Sequence, residues 1–245
     1  MMKSKIFDEY LDLVRESYEY NGYPFPENCD CFGYNSPYCC MTDLKDEDLS
    51  RLKLDFECGA SKGCVLSKYE KKYVLKVPFL NIYDEDEGRE IDFNNAYLIN
   101  PATNQYIFSN NRDDYCYLEK YMSDVFVKSG LGNCICKVES YGDIDGHPLY
   151  IQERATEFEN THSSTRSIDE CKDFVETMKS SYGEEKYFLT FEDEWAMDFV
   201  DYHGEDKYVQ MIDILAAYGV NDLHLGNYGY VNDRPVLIDY SGYKD

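Results

Sequence analysis

The sequence contains few basic residues for its length and has no long apolar run. Its 245 residues include 24 lysines and arginines against 48 aspartates and glutamates, so the formal net charge is −24. A nucleic-acid-binding protein needs a basic surface to neutralise phosphates, and anionic membranes repel a chain this acidic. No apolar stretch reaches the roughly 20 residues of a membrane span, and no signal peptide opens the chain. We therefore expect a cytoplasmic protein with no nucleic-acid or membrane partner.

Zinc-binding motifs of the usual spacing are also missing. Structural zinc sites generally use Cys-x-x-Cys pairs, whereas the segment 21–43 contains Cys29-x-Cys31 and Cys39-Cys40. Prolines and glycines interrupt any periodicity in this segment, so it is predicted to be a loop. We interpret these four cysteines, and the other six in the chain, as free thiols in a reducing compartment.

The sequence does contain enough apolar material for a folded core, since 43% of its residues are hydrophobic and 16% are aromatic. Apolar residues at helical spacing predict helices over residues 6–19, 113–127, 168–180 and 206–218, the last of them ended by Gly219. Alternating apolar residues predict strands over residues 52–56, 64–66, 73–77, 135–141, 149–152, 228–231 and 236–239. The acidic segment 83–92 is predicted to be a solvated loop or insertion.

The most informative segment lies near the C-terminal end. The helix that ends at Gly219 is followed by the segment Asp222 to Asn227 (DLHLGN), and the apolar residues 236–238 then lead to Asp239. Phosphoryl transfer needs one carboxylate that orients or deprotonates an acceptor hydroxyl. It also needs an amide oxygen and a second carboxylate that hold magnesium on the phosphates. Asp222, Asn227 and Asp239 supply these three groups in that order.

This spacing resembles the protein-kinase-like fold, in particular its minimal bacterial and phage members and the aminoglycoside- and choline-kinase branch. That branch often carries Asp-x-His-x-x-Asn, matched by Asp222, His224 and Asn227, and a later Asp-x-x-Gly, matched by Asp239 to Gly242. The resemblance implies that Asp222 is the catalytic base and that Asn227 and Asp239 bind magnesium. It gives His224 a role in neutralising the transferring phosphate or in positioning the acceptor.

An earlier strand matches the nucleotide-binding lysine of this family. Residues 74–77 (VLKV) resemble the family's Val-Ala-x-Lys strand, in which Lys76 would bind the α- and β-phosphates of ATP. The family pairs this lysine with a glutamate on the next helix, and Glu119 is the candidate in the predicted helix 113–127. Asp114 occupies a comparable position and is an alternative partner.

The segment Gly59 to Val65 (GASKGCV) precedes that strand and resembles a degenerate glycine-rich loop. Glycine lets backbone amides approach a phosphate, and Ser61 adds a hydroxyl group. The resemblance therefore implies that Gly59, Ser61, Gly63 and Val65 help to bind the nucleotide.

The sequence departs from the family pattern in two places. Val220 and Asn221 stand where many kinases carry the His and Arg of a His-Arg-Asp motif, so control by a phosphorylated activation segment is not expected. The sequence ends shortly after Asp239, where other kinases have an activation segment and further helices. We therefore expect no protein-substrate platform of the ordinary kind.

Together these features predict an α+β chain with a two-lobed, protein-kinase-like fold. Residues 1–50 would add a helix and the cysteine-containing loop. Residues 51–152 would form an N-lobe with a five-stranded antiparallel sheet, and residues 153–245 a truncated, mainly helical C-lobe. The expected activity is the transfer of phosphate from ATP, with Mg²⁺, to a hydroxyl acceptor on a protein or a small molecule.

Two other functions are compatible with the sequence. A pseudokinase would bind nucleotide without transferring phosphate; the short C-terminal end favours this, and the intact set of Lys76, Asp222, Asn227 and Asp239 disfavours it. An acidic decoy would use the net charge of −24 to occupy a basic site on a partner protein. Such binding would depend strongly on salt and would not require Lys76.

Overall fold

The computed structural model describes most of the chain. The described residues are 2–21, 44–58, 62–78, 82–84, 89–91, 96–107, 115–144, 146–158, 166–184, 191–221, 223–240 and 242–243. The loop that carries Cys29, Cys31, Cys39 and Cys40 lies outside these ranges, so its predicted free thiols stay a prediction.

Helices and antiparallel strands both contribute to the described part of the chain. The helices are α1 (Lys5–Asn21), α2 (Asp46–Leu52), α3 (Tyr115–Lys128), α4 (Ile168–Tyr182), α5 (Asp193–His203) and α6 (Glu205–Ala217), and a 3₁₀ turn covers Leu225–Asn227. The strands are β1 (Leu54–Cys58), β2 (Lys62–Ser67), β3 (Tyr73–Pro78), β4 (Ile82–Asp84), β5 (Arg89–Ile91), β6 (Ala96–Asn100), β7 (Gln105–Ile107), β8 (Val138–Ile144), β9 (His147–Glu153), β10 (Thr156–Glu157), β11 (Tyr228–Val231), β12 (Arg234–Leu237) and β13 (Gly242–Tyr243). The predicted α+β class is confirmed. Within the described residues, no helix combines the length and the hydropathy needed to cross a bilayer.

The chain divides into two compact units. The first unit comprises Met1–Ala96, Phe108–Lys120 and Val138–Arg154, and the second comprises Tyr97–Ile107, Tyr121–Lys137 and Ala155–Asp245. Each unit therefore contains segments from several parts of the sequence.

A five-stranded sheet forms the centre of the first unit, in the strand order β1-β2-β3-β9-β8. All of its pairings are antiparallel, which confirms the predicted sheet. Strand β3 is central, and all of its residues from Val74 to Pro78 are buried. A strand that is buried on both faces usually has a short continuous run of apolar residues. Lys76 is therefore an unusual residue at the centre of β3.

Helix α1 covers one face of this sheet. Its buried apolar residues recur at the i, i+3, i+4 and i+7 spacing of an amphipathic helix, namely Phe7, Tyr10, Leu11 and Val14. They pack in one cluster with inward-facing residues of the sheet, which include Val65, Leu75, Val77, Leu149 and Ile151. Because side chains alternate along a strand, Val74 and Lys76 must face away from α1.

The start of α1 is attached to β8 through Tyr141. The Ser4 N–H donates to the Tyr141 hydroxyl oxygen at 3.0 Å, and that hydroxyl lies 2.9 Å from the Ser4 carbonyl oxygen and 2.7 Å from Asp8 Oδ1. Burial and the hydrogen bond to Asp8 raise the pKa of Tyr141, so the phenol stays protonated at neutral pH. These contacts join residues that are 137 and 133 positions apart in the sequence.

Aromatic side chains around α5 form much of the core of the second unit. Trp195 is fully buried, and its ring lies 4.8 Å from Phe191, 5.3 Å from Phe199 and 4.8 Å from Tyr228, measured between centroids. Its Nε1 donates a hydrogen bond to the Gly229 carbonyl oxygen at 3.1 Å, which satisfies the buried indole N–H. This cluster attaches α5 to β11.

The predicted glycine stop of α6 is confirmed. Gly219 has a φ of +69°, its N–H donates to Ala216 O at 3.1 Å, and the Val220 N–H donates to Leu215 O at 3.0 Å. These two hydrogen bonds define a Schellman motif, which needs a left-handed residue that glycine adopts without strain. The motif directs the chain from α6 toward the predicted catalytic loop.

Several predicted strand boundaries and loops differ from the structure, among them these three. Leu52 ends α2, so the first strand begins only at Leu54. The strand predicted from Ile135 begins at Val138, because residues 134–136 instead pair with β12 through a parallel bridge from Ile135 to Leu237. The acidic segment 83–92, predicted as a loop, takes part in the antiparallel pair β4–β5.

Two helices were not predicted. The residues before α2 and α5 are Lys45 and Glu192, and neither makes a side-chain capping hydrogen bond. Serine, threonine, aspartate and asparagine at the N-cap are the usual signal for a helix start. Both helices lack this signal, so the sequence did not predict where they begin.

We expect the substitution Gly229→Ala to destabilise the second unit. A Cβ atom at Gly229 would lie 2.0 Å from Thr156 O and 2.8 Å from Glu157 Cα, both of them backbone atoms of β10. Because a backbone cannot move aside as a side-chain tip can, overpacking here should lower the free energy of unfolding by about 2 kcal/mol. Denaturant unfolding would measure this.

Gly132→Ala is the matched control, since a Cβ at Gly132 would first meet Val127 Cγ2 at 3.1 Å and Lys137 Cε at 3.3 Å, both on side chains. Equal stabilities for the two variants would contradict the close backbone approach at Gly229.

Candidate functional site

A buried ion pair in the first unit joins β3 to α3. The Nζ atom of Lys76 lies 2.9 Å from Oε2 and 3.2 Å from Oε1 of Glu119. The side chain of Lys76 is 3% exposed and that of Glu119 is fully buried. The predicted pairing of Lys76 with Glu119 is confirmed; Asp114, the alternative partner, lies outside the described residues.

The ion pair follows from the pattern of the two elements. In β3 the alternation places Leu75 and Val77 against α1 and turns Lys76 to the other face. In α3 the residues Tyr115, Leu118, Glu119 and Met122 are all buried at helical spacing, so Glu119 lies on the inward side of the helix. The two charged groups therefore meet in the interior.

A buried ion pair of this kind is poor evidence for a purely stabilising role. Removing two charges from water costs several kcal/mol per ion, and their attraction offsets that cost only with good geometry and further hydrogen bonds. Apolar residues of similar volume would often be as stable. Buried charges held in a specific arrangement are therefore candidates for a functional site.

A second lysine, which the sequence did not identify, contacts the same carboxylate. The Nζ atom of Lys62 donates to Oε1 of Glu119 at 2.8 Å and lies 4.0 Å from the centroid of the Tyr115 ring. Its side chain is 10% exposed. The sequence places Lys62 in the predicted glycine-rich loop, whereas in the structure β2 begins at Lys62 and pairs with β1.

The register of the sheet explains why both lysines reach one carboxylate. Cys64 is opposite Lys76, and Lys62 is opposite Pro78, in the antiparallel pair β2–β3. Opposite residues share a face and side chains alternate, so Lys62 and Lys76 project from the same face of the sheet. In the sequence, Lys62 is only a lysine two residues before a predicted apolar strand. Lysines in such positions are usually surface residues, so the pattern does not predict its buried contact.

The structure describes only part of the predicted glycine-rich segment, and its residues have different environments. Gly63 is buried in β2, where it pairs with Cys58 and Val77. Val65 is fully buried in the cluster beneath α1, opposite Leu75. The prediction that places Val65 at the nucleotide is therefore corrected for its side chain, which faces away from Lys76. Gly59 and Ser61 lie outside the described residues.

In the second unit the chain brings Asn227 and Asp239 together. The carbonyl oxygen of Asn227 accepts hydrogen bonds from the Ile238 N–H at 2.8 Å and from the Asp239 N–H at 3.3 Å. Asn227 is 3% exposed and Asp239 is half-buried. The hairpin β11–β12 causes this approach, because Tyr228 is opposite Leu237 in its register.

Strand β12, which leads to Asp239, also forms hydrogen bonds with the segment 134–136. The Leu237 N–H donates to Cys134 O at 3.0 Å, and the Cys136 N–H donates to Leu237 O at 2.7 Å. After Asp239, the buried hydroxyl of Tyr240 donates to Cys136 O at 2.7 Å. The residues on both sides of Asp239 are therefore anchored, through the Leu237 backbone and the Tyr240 side chain, to the segment 134–136.

His224 is exposed and caps the 3₁₀ turn that leads to Asn227. Its Nδ1 accepts a hydrogen bond from the Gly226 N–H at 3.2 Å, and its carbonyl oxygen accepts one from the Asn227 N–H at 2.8 Å. These contacts give His224 a local structural role, and its predicted role at phosphate stays a prediction. Asp222 lies outside the described residues.

The donor chemistry of Asn227 and Asp239 suits magnesium. Mg²⁺ prefers oxygen ligands and is usually held by one or two carboxylates together with substrate phosphates and water. An amide oxygen and a carboxylate on adjacent backbone segments provide such donors. Within the described residues, no group of three or more His, Cys, Asp or Glu side chains is arranged to hold a metal ion.

The structure has free thiols at positions 64, 116, 134, 136 and 171. Burial raises the pKa of Cys134 to about 11, so this thiol stays protonated and unreactive at neutral pH. The prediction of free thiols is confirmed for these five residues.

No protein-family model matches this chain, and no curated protein matches it in sequence.

Proposed function

We propose that this chain is an ATP-dependent phosphotransferase with a two-lobed, protein-kinase-like fold, which transfers a phosphoryl group to a hydroxyl acceptor. The observation that carries the proposal is the buried contact between Lys76 of β3 and Glu119 of α3. This contact was expected from a sequence resemblance, and it lies beside a five-stranded antiparallel sheet. Chance pairing of a buried lysine with the predicted glutamate is a poor explanation, since both charges pay a desolvation cost.

In this proposal Lys76 binds the α- and β-phosphates of ATP, and Glu119 positions its ammonium group. A lysine held by a buried carboxylate loses less conformational freedom when it binds a phosphate, because its side chain is already ordered. Gly63 contributes through its backbone, and Gly59 and Ser61 are proposed to do the same from the preceding residues. The charge of Lys76 also offsets the repulsion between ATP and a chain of net charge −24.

The proposed chemical step uses Asp222 as the base. Asp222 takes the proton of the acceptor hydroxyl while the hydroxyl oxygen forms a bond to the γ-phosphorus. The bond between that phosphorus and the β,γ-bridging oxygen breaks, and ADP leaves with both bonding electrons. Asn227 and Asp239 would hold Mg²⁺, which supplies charge neutralisation at the phosphates. His224 is proposed to orient the acceptor or to neutralise the transferring group.

The test is the response of the intact protein to Mg-ATP. A ligand at 100 times its dissociation constant stabilises the native state by about 2.7 kcal/mol. For a chain of this size that corresponds to a rise in melting temperature of about 8 °C. Mass spectrometry after incubation with Mg-ATP would show phosphate on the protein or on added hydroxyl acceptors.

The possible outcomes separate the candidate functions. Stabilisation together with phosphate transfer supports the proposal. Stabilisation without transfer or ATP hydrolysis, across many acceptors, would instead support a nucleotide-binding pseudokinase. No stabilisation at all, combined with salt-dependent binding to a basic protein, would support the acidic decoy.

A further inference from the structure

Lys62 and Lys76 form an arrangement that the proposed function does not fully use. Their ammonium groups lie 2.8 Å and 3.2 Å from the same carboxylate oxygen, Oε1 of Glu119. The two cations are therefore close neighbours in a largely buried setting. Like charges at such short range repel each other, and the repulsion is stronger where water is excluded. An anion with several charged oxygens would relieve it.

The surroundings of the two lysines differ. Lys76 is 3% exposed, and its ammonium group contacts both carboxylate oxygens of Glu119 from the middle of the buried strand β3. Lys62 is 10% exposed and begins β2, and its ammonium group also rests on the face of the Tyr115 ring at 4.0 Å. An aromatic face attracts a cation from any direction of approach above the ring. Lys62 is thus the lysine that can turn toward a ligand with less loss.

We propose that Lys62 is a second phosphate-binding residue, which turns from Glu119 to the terminal phosphate of a nucleoside triphosphate. This inference rests on the proposed function and adds to it a preference for a nucleoside triphosphate over a diphosphate. Lys76 stays on Glu119 and binds the inner phosphates, whereas Lys62 contacts the phosphate that a diphosphate lacks. Tyr115 keeps the ammonium group near the site in both positions. The site would therefore distinguish Mg-ATP from Mg-ADP.

The experiment compares the dissociation constants of Mg-ATP and Mg-ADP by calorimetry, for wild type, Lys62→Met and Lys62→Arg. Lys62→Met should weaken Mg-ATP binding about tenfold or more, because it removes a hydrogen bond between charged groups. Mg-ADP binding should change by less than about threefold by the same reasoning. Lys62→Arg keeps the charge and the ring contact, so it should retain much of the preference for the triphosphate.

Lys72→Met is the matched control, because it removes the same charge from an exposed position of the same unit. It should leave both dissociation constants unchanged. Melting temperatures of the nucleotide-free variants report any loss of folding, which alone would not alter the ratio of the two affinities.

Equal weakening of Mg-ATP and Mg-ADP binding in Lys62→Met, or no weakening of either, would overturn the inference while leaving the proposed function in place. If wild type binds neither nucleotide, the proposed function fails, and the inference fails with it. The two failures are therefore distinguishable from the wild-type titration alone.

Discussion

Replacing Lys76 by methionine should remove most of the stabilisation that Mg-ATP gives the wild-type protein. Methionine keeps the apolar stem but loses the ammonium group, so the contact with the phosphates is lost. Hydrogen bonds between charged groups of this strength correspond to a loss of affinity of about 100-fold. At 100 times the wild-type dissociation constant, the stabilisation should then fall from about 2.7 to about 0.4 kcal/mol. The shift in melting temperature should fall from about 8 °C to about 1 °C.

Two further variants make the result interpretable. Lys72→Met removes one positive charge from an exposed site and should keep the full shift. Lys76→Arg retains a cation beside Glu119, so it should fold like wild type even if Lys76→Met does not. In Lys76→Met the carboxylate of Glu119 keeps its contact with Lys62, which limits the cost of the substitution. A full Mg-ATP shift in Lys76→Met would exclude Lys76 from the nucleotide site.

Replacing Asp222 by asparagine should slow phosphate transfer by about 100-fold to 10,000-fold, the usual contribution of a general base. Asparagine matches aspartate in size and still forms hydrogen bonds, but it does not accept the proton of the acceptor hydroxyl. The dissociation constant of Mg-ATP should stay within about threefold of the wild-type value, because this role is confined to the transition state. Single-turnover transfer assays, with calorimetry for binding, would separate the two quantities.

The control for Asp222→Asn is Asp233→Asn, an identical substitution at an exposed position in the turn between β11 and β12. Its transfer rate should equal that of wild type. A wild-type rate in Asp222→Asn would remove the assigned base, and the match of residues 222–227 to a catalytic loop would then be coincidental.

The part of the site that could be predicted from the sequence is the part that depends on local patterns. Glu119 was expected because the family resemblance implies a glutamate on the helix that follows the lysine strand. A lysine inside the apolar strand β3 is visible from periodicity alone. The hairpin that brings Asn227 to Asp239 is visible in the same way, because two apolar strands flank the polar turn Asn232-Asp233. The structure confirms the contact of Lys76 with Glu119 and the adjacency of Asn227 and Asp239.

The parts that could not be predicted depend on strand register. Lys62 reaches Glu119 because the register places Cys64 opposite Lys76. Since side chains alternate along β2, Lys62 then lies on the same face of the sheet as Lys76. The same register turns Val65 into the core beneath α1. A shift of one residue would exchange the two faces of β2, and no single-strand pattern determines that choice. The register becomes apparent only in the folded unit, where α1 packs on one face of the sheet and Glu119 of α3 meets the two lysines on the other.

The attachment of α1 to β8 and β9 has a consequence for synthesis of the protein. The partner of Ser4, Tyr141, is translated 137 residues later, which takes on the order of 10 s at typical elongation rates. During that interval Phe7, Tyr10 and Leu11 have no completed sheet to pack against. Contacts between such distant segments also slow folding after release. The apolar face of α1 thus reaches its native environment only after β8 and β9 have been made, and until then the nascent chain presents that face to chaperones.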